Sequence, residues 1–174
     1  MCTPEWKKLE EKGADIIESA VMLFPDMETL PLPTDRPFVL DVTDFSNLET
    51  GVVCGFRQGE PLADQIYGPL TDKINEYCNS ELCREPYLPM VEELCLAKLP
   101  PYPQWFRAVV VEHRAGEATA AVLFTDYGNV EAAIPVTDLR KCLREFCGPP
   151  ALAATADIKG NTRWNINSLF LKCM

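Results

Sequence analysis

Two apolar runs with strand character face each other across a polar break at 113–117: Trp105-Phe106-Arg107-Ala108-Val109-Val110-Val111 and Ala120-Ala121-Val122-Leu123-Phe124. Nothing else in the chain restricts its fold as much. β-Branched and aromatic residues favour a pleated, half-buried surface, and Gly116 can take the positive φ of a tight turn. The expectation is an antiparallel hairpin closed by Phe124-Thr125-Asp126-Tyr127-Gly128-Asn129. Bending such a hairpin brings Phe106, Phe124 and Tyr127 together, with Phe124 and Tyr127 at the mouth. Three aromatic faces around one point bind a cation, because each ring presents the negative face of its quadrupole. The Asn129 amide adds a hydrogen-bonding group that a plain ammonium box does not need. Packing accounts for the same residues in another way, since aromatics fill strand cores and Tyr127-Gly128-Asn129 suits a turn. Trp105 alternates with Phe106 and should face core on the opposite side. Arg107 and Asp126 are expected to pair and brace the hairpin; the alternative role for Asp126 is to attract the guest.

The chain has 174 residues, 47% of them hydrophobic and 24% charged, which fits one domain or two small lobes. No apolar run approaches the roughly 20 residues of a membrane span. The opening Met1-Cys2-Thr3-Pro4-Glu5-Trp6 lacks a signal core, so an intracellular protein without membrane partners is expected. Eight cysteines and one histidine, His113, show no zinc-knuckle spacing. Reduced thiols, no metal and no cofactor are expected, with Cys54 and Cys95 as small core residues. The net charge of −10 disfavours nucleic acid, which needs a basic stripe, and favours a basic guest.

Along the chain, Pro4 to Phe24 carries apolar residues at helical spacing (Trp6, Leu9, Ile16, Ile17, Ala20, Val21) and reads as an amphipathic helix, either a packing brace or a partner-binding element. A proline-broken linker follows to Pro37. Strands are expected near 37–43 and 50–56, then a helix from Leu62 to Tyr77 with a kink, or a break into two helices, at Gly68-Pro69. The stiff loop Pro100-Pro101-Tyr102-Pro103-Gln104 can hold Tyr102 beside the aromatic box. Val136 to Phe146 is expected to form a short helical turn and Leu152 to Lys159 a strand.

The elements Leu96-Ala97-Lys98-Leu99, Trp105-Phe106-Arg107-Ala108, Phe124-Thr125-Asp126-Tyr127-Gly128-Asn129 and Leu139-Arg140 fall in the order of a Tudor domain. With the strands and helix before them, the chain resembles the extended Tudor domain. The resemblance implies a mainly β fold with helices: a five-stranded Tudor barrel inserted in an OB-like, staphylococcal-nuclease-like half, plus the N-terminal helix. The implied organisation is 1–30 helix and linker, 31–92 first part of the OB-like half, 93–150 barrel, and 151–174 return segment. That last segment is short for the family, so a truncated or abbreviated half with an open strand edge is expected.

The resemblance also implies a function. Its members are typically germline scaffolds that read symmetrically dimethylated arginine on Piwi-type proteins. Motif by motif, the methylarginine cage falls on Phe106, Phe124, Tyr127 and Asn129. Leu99 stands where the family usually has a further aromatic, so one side becomes aliphatic unless Tyr102 swings in. Expected partners are a dimethylarginine peptide of a Piwi-type protein and other germ-granule proteins, in the cytoplasm and its granules (nuage), with no direct nucleic acid. The alternative is a degraded cage that binds an unmethylated peptide or another scaffold protein. Catalysis is not expected: nuclease chemistry needs acids on a metal and positioned arginines, and Asp41 and Asp44 have no arginine cluster beside them. A methyl-lysine reader fits less well, because lysine offers no planar fork for Asn129.

Overall fold

The computed structural model describes residues 21–157 apart from 84, 86 and 115. Two sheets form the frame. The smaller has strands β1 (Leu40–Asp44), β2 (Val52–Arg57) and β8 (Ala154–Asp157), in that order and antiparallel. The larger has β3 (Leu94–Lys98), β4 (Trp105–Arg114), β5 (Thr119–Phe124), β6 (Val130–Pro135) and β7 (Leu139–Lys141), in the order β6-β5-β4-β3-β7. Since β2 and β8 pair across the whole second sheet, the five-stranded unit is an insertion in the three-stranded one. The fold is mainly β with a few helices, as the extended Tudor architecture requires.

The hairpin forms where its residue types place it. β4 and β5 pair antiparallel, and Gly116 turns between them at φ +87°. Their register slips between Val110 and Glu112, leaving Val111 half exposed. A second slip falls between Ala120 and Val122 against β6. Such bulges bend strands and raise local twist, curling the sheet around an inner cluster of Cys95, Ala97, Phe106, Val110, Phe124 and Leu139.

The first strands lie slightly later than expected, since a 3₁₀ turn at Leu48–Thr50 fills the start of the second. Gly55 allows β1 and β2 to pair closely, as a Cβ there would meet the Asp41 carbonyl oxygen at 2.3 Å. The chain stays helical through Gly68-Pro69, as a π turn at Ala63–Tyr67 running into α1 (Gly68–Cys78). Pro69 has no N–H to donate, and a wider turn absorbs the missing bond. α1 packs Leu70, Ile74 and Tyr77 against Trp105, Leu143 and Phe146 to form the core between the two lobes. The expected turn within 136–146 resolves into a 3₁₀ turn at Val136–Asp138, then β7, then α2 (Arg144–Cys147).

Most of the expected N-terminal helix lies outside the described residues. Its expected last turn does not form. Leu23 is extended and bridges Glu93, and Phe24–Asp26 make one 3₁₀ turn around Pro25. Backbone pairing wins over helical spacing there: Leu94 N–H donates to Met22 O and Phe24 N–H to Glu92 O, both at 2.8 Å. Among the described residues no helix is long and apolar enough to cross a membrane.

Candidate functional site

From Trp105 to Val110 β4 is buried on both faces, and alternation divides its work. Trp105 and Val109 enter the inter-lobe core, as expected for Trp105, while Phe106, Ala108 and Val110 face the barrel interior. Phe106 meets Tyr127 edge to face, with ring centroids 5.4 Å apart and planes at 86°. That geometry sets the positive edge of one ring against the negative face of the other. Phe124 belongs to the same cluster, and half-buried Leu99 and Tyr127 pack against it. Leu99, Phe106, Phe124 and Tyr127 are thus brought together.

Phe124 is not at the mouth. It is 0% exposed and forms part of the barrel interior, opposite Ala108 in the β4–β5 register. The curl of the sheet, which the sequence pattern does not specify, encloses it. Tyr102 is 56% exposed and outside the cluster. Its N–H donates to Leu99 O at 2.8 Å, which folds the proline loop back beside Leu99. The Tyr127 phenol is pushed up by burial first, then by the Asp126 charge and by Tyr102. It stays a neutral hydroxyl near neutral pH.

Asn129 sits on the turn that carries Tyr127. Phe124 N–H donates to Asn129 O at 2.9 Å, and Gly128 N–H donates to Phe124 O at 2.7 Å. The Asn129 side chain donates through Nδ2 to Glu131 Oε1 at 3.3 Å, which orients the amide. Its Oδ1 is buried with no hydrogen-bond partner.

The smaller sheet fixes this turn from behind. Thr43 Oγ1 on β1 donates to Tyr127 O. Gly128 has φ +79°, and a Cβ on it would lie 2.4 Å from Cys54 Cβ on β2. Glycine is therefore required twice, for the backbone conformation and for the close approach. Neither Thr43 nor Cys54 is visible as a site residue in the sequence, because their link to the turn is purely tertiary. Glu131 carries a weak signal, two residues beyond Asn129.

Arg107 does more than brace its hairpin. It is 1% exposed and holds Asp126 through two bonds, Nε to Oδ2 at 2.9 Å and an Nη to Oδ1 at 2.5 Å. The guanidinium also donates to the carbonyls of Phe146 (3.1 Å), Pro149 (2.6 Å) and Pro150 (2.9 Å). Asp126 Oδ1 accepts Leu152 N–H at 3.0 Å. Burial opposes the charge on Arg107, but the hydrogen bonds and field of Asp126 outweigh it and raise its pKa. Such a fully bonded buried pair defines a geometry more than it adds stability. Here it ties the residue before Tyr127 to the return segment. Among the described residues no group of three or more His, Cys, Asp or Glu side chains could hold a metal.

Residues 44–160 match the Tudor domain family. Human Tudor domain-containing protein 1 is 31% identical over 104 residues, covering 60% of this chain and 8% of that protein. The extended Tudor domain TD3 of mouse TDRD1, solved with a MILI peptide containing dimethylarginine, superposes with TM-score 0.64 at 20% identity. The match covers 74% of this chain and 63% of that one. The Drosophila melanogaster Papi extended Tudor domain, solved with a Piwi N-terminal peptide carrying symmetrically dimethylated arginine, gives TM-score 0.61 at 17% identity. That match covers 76% of this chain and 64% of the other. The chain thus spans a small fraction of the human protein and under two thirds of these solved domains.

Proposed function

The chain belongs to the Tudor domain family, and on that premise we propose that it is a non-catalytic module reading symmetrically dimethylated arginine in Arg/Gly-rich tails of Piwi-type proteins. In the same proposal it helps scaffold small-RNA silencing granules in germline cytoplasm. Tudor domains are interaction modules, and the solved relatives described above hold dimethylarginine peptides. The observation that carries the reading is the unpaired Asn129 Oδ1 on the same turn as the Phe106–Tyr127 ring pair.

Dimethylation keeps the positive charge of arginine, removes N–H donors and broadens the flat face of the guanidinium. Ring faces then gain contact area and fewer donors need partners. The amide oxygen of Asn129 meets one remaining N–H. Phe106 and Tyr127 flank the guest, Phe124 supports them from inside, Leu99 gives the aliphatic side, and Tyr102 closes over it from the proline loop. The specific observation behind a second reading, binding of unmethylated peptide or another scaffold protein, is that Leu99, the enclosed Phe124 and the buried Phe106 leave Tyr127 as the one half-buried ring of the cage.

Calorimetry with Arg/Gly peptides, symmetrically dimethylated and unmethylated, decides between the two. Expected is measurable binding of the methylated peptide only, abolished by Tyr127→Ala with native circular dichroism. Equal affinity for both peptides selects the second reading. Affinity untouched by Tyr127→Ala removes the site altogether.

A further inference from the structure

The inter-lobe core contains a pair of thiols that the site just described does not use. Cys142 directly follows β7, and Cys147 is the last residue of α2. Their Sγ atoms are 3.0 Å apart, and each thiol also lies 3.6 Å from Leu143 O. A disulfide bond measures about 2.05 Å, so roughly 1 Å of approach separates the dithiol from a bridge. We propose that Cys142 and Cys147 are a redox-convertible pair that a small peroxide closes to a disulfide.

The surroundings favour Cys147 as the attacking sulfur. The Arg107 guanidinium donates to Phe146 O and Pro149 O, on either side of it in sequence. The hydrogen bond from Cys142 lowers the Cys147 pKa, against the opposing effect of burial, and Arg107 lowers it further. Cys142 is raised by the same bond and by burial. Cys147 is 7% exposed and lies beside exposed Gly148, the side from which a small oxidant would reach it.

The chemistry balances with hydrogen peroxide as oxidant. The Cys147 thiolate attacks one peroxide oxygen, the O–O bond breaks, and the departing hydroxide takes a proton to become water. Cys147 is then a sulfenic acid. The Cys142 sulfur attacks the Cys147 sulfur, the S–O bond breaks, and the leaving hydroxide takes the Cys142 proton as a second water. Two thiols are oxidised and one peroxide is reduced. The bridge would fasten the end of β7 to the segment whose carbonyls hold Arg107.

The 174-residue chain allows a direct test, because trypsin cuts after Lys141, Arg144 and Lys159 and so separates the two cysteines. The native chain is treated with dilute peroxide, residual thiols are alkylated, and the non-reduced digest is read by mass spectrometry. Expected is a cross-linked species joining peptide 142–144 to peptide 145–159, lost on treatment with dithiothreitol and absent from C142S. A digest with both peptides alkylated and unlinked overturns the proposal. So does a link from Cys147 to Cys95 or Cys83 instead, or a Cys142–Cys147 link that forms only in denaturant.

Discussion

Tyr127 and Phe124 are both aromatic residues of one turn, yet substitution should separate them. Phe124 has no exposed surface, so Phe124→Ala should cost about 3–5 kcal/mol of stability and lose binding with the fold. Tyr127 is half-buried, and Tyr127→Ala should lose binding with the melting point much less changed. Thermal unfolding of the two variants beside their calorimetry checks this. Leu99 packs on the same cluster from the end of β3. A ring there adds one aromatic face, worth about 0.5–1 kcal/mol to an exposed cation. Leu99→Phe should therefore tighten methylarginine binding several-fold, and weaker binding would mean that the leucine fills its position fully.

At the scale of elements, the candidate site is a turn held by strands that do not belong to its hairpin. Thr43→Val keeps the shape of the side chain and removes the hydroxyl that meets Tyr127 O. Losing that bond should cost about 1 kcal/mol of stability, a fall of roughly 2–4 °C in melting temperature, and the loosened turn should bind peptide up to about fivefold more weakly. Unchanged affinity would mean that Gly128 against Cys54 suffices to place the turn. Asp126→Asn acts elsewhere. It leaves Arg107 buried without its counter-charge, a loss of about 3–5 kcal/mol. At roughly 2–4 °C per kcal/mol for a chain of this size, the melting temperature should fall by at least about 6 °C. A calorimetric scan reads it directly, and a smaller fall would mean that the three carbonyls hold Arg107 unaided.

Across the whole molecule the net charge of −10 creates an attractive field for a cationic tail. Salt screens that field over about 10 Å at 0.1 M, while contact between rings and a guanidinium is short-ranged. Raising ionic strength from about 0.05 to 0.5 M should weaken peptide binding moderately, and Tyr127→Ala should show no binding at either end. Titrations at both salt concentrations test it. A flat response assigns the acidic surface to solubility, and a steep response that persists in Tyr127→Ala assigns binding to charge alone.

The β4–β5 hairpin, the exposed Gly116 turn, the opposite facing of Trp105 and Phe106, and the Arg107–Asp126 pair were legible in the sequence. Each depends on alternation, turn chemistry or charge between residues that a single hairpin brings together. The gathering of Phe106, Phe124 and Tyr127 was legible in the bent hairpin, and the place of Leu99 beside them only through the family pattern. Other features could not be read in advance: the enclosure of Phe124, the unpaired Asn129 Oδ1, and the pull of residues 22–24 out of helix into pairing with β3. Thr43 lies 84 residues from Tyr127, and no local rule predicts their bond. Alternation and turn chemistry place the central hairpin and assign its side chains to faces, because those depend on neighbours in the chain. Tertiary structure alone decided which faces close over and which carbonyls a buried cation meets, because sheet curl and lobe docking are set by contacts summed over the whole fold.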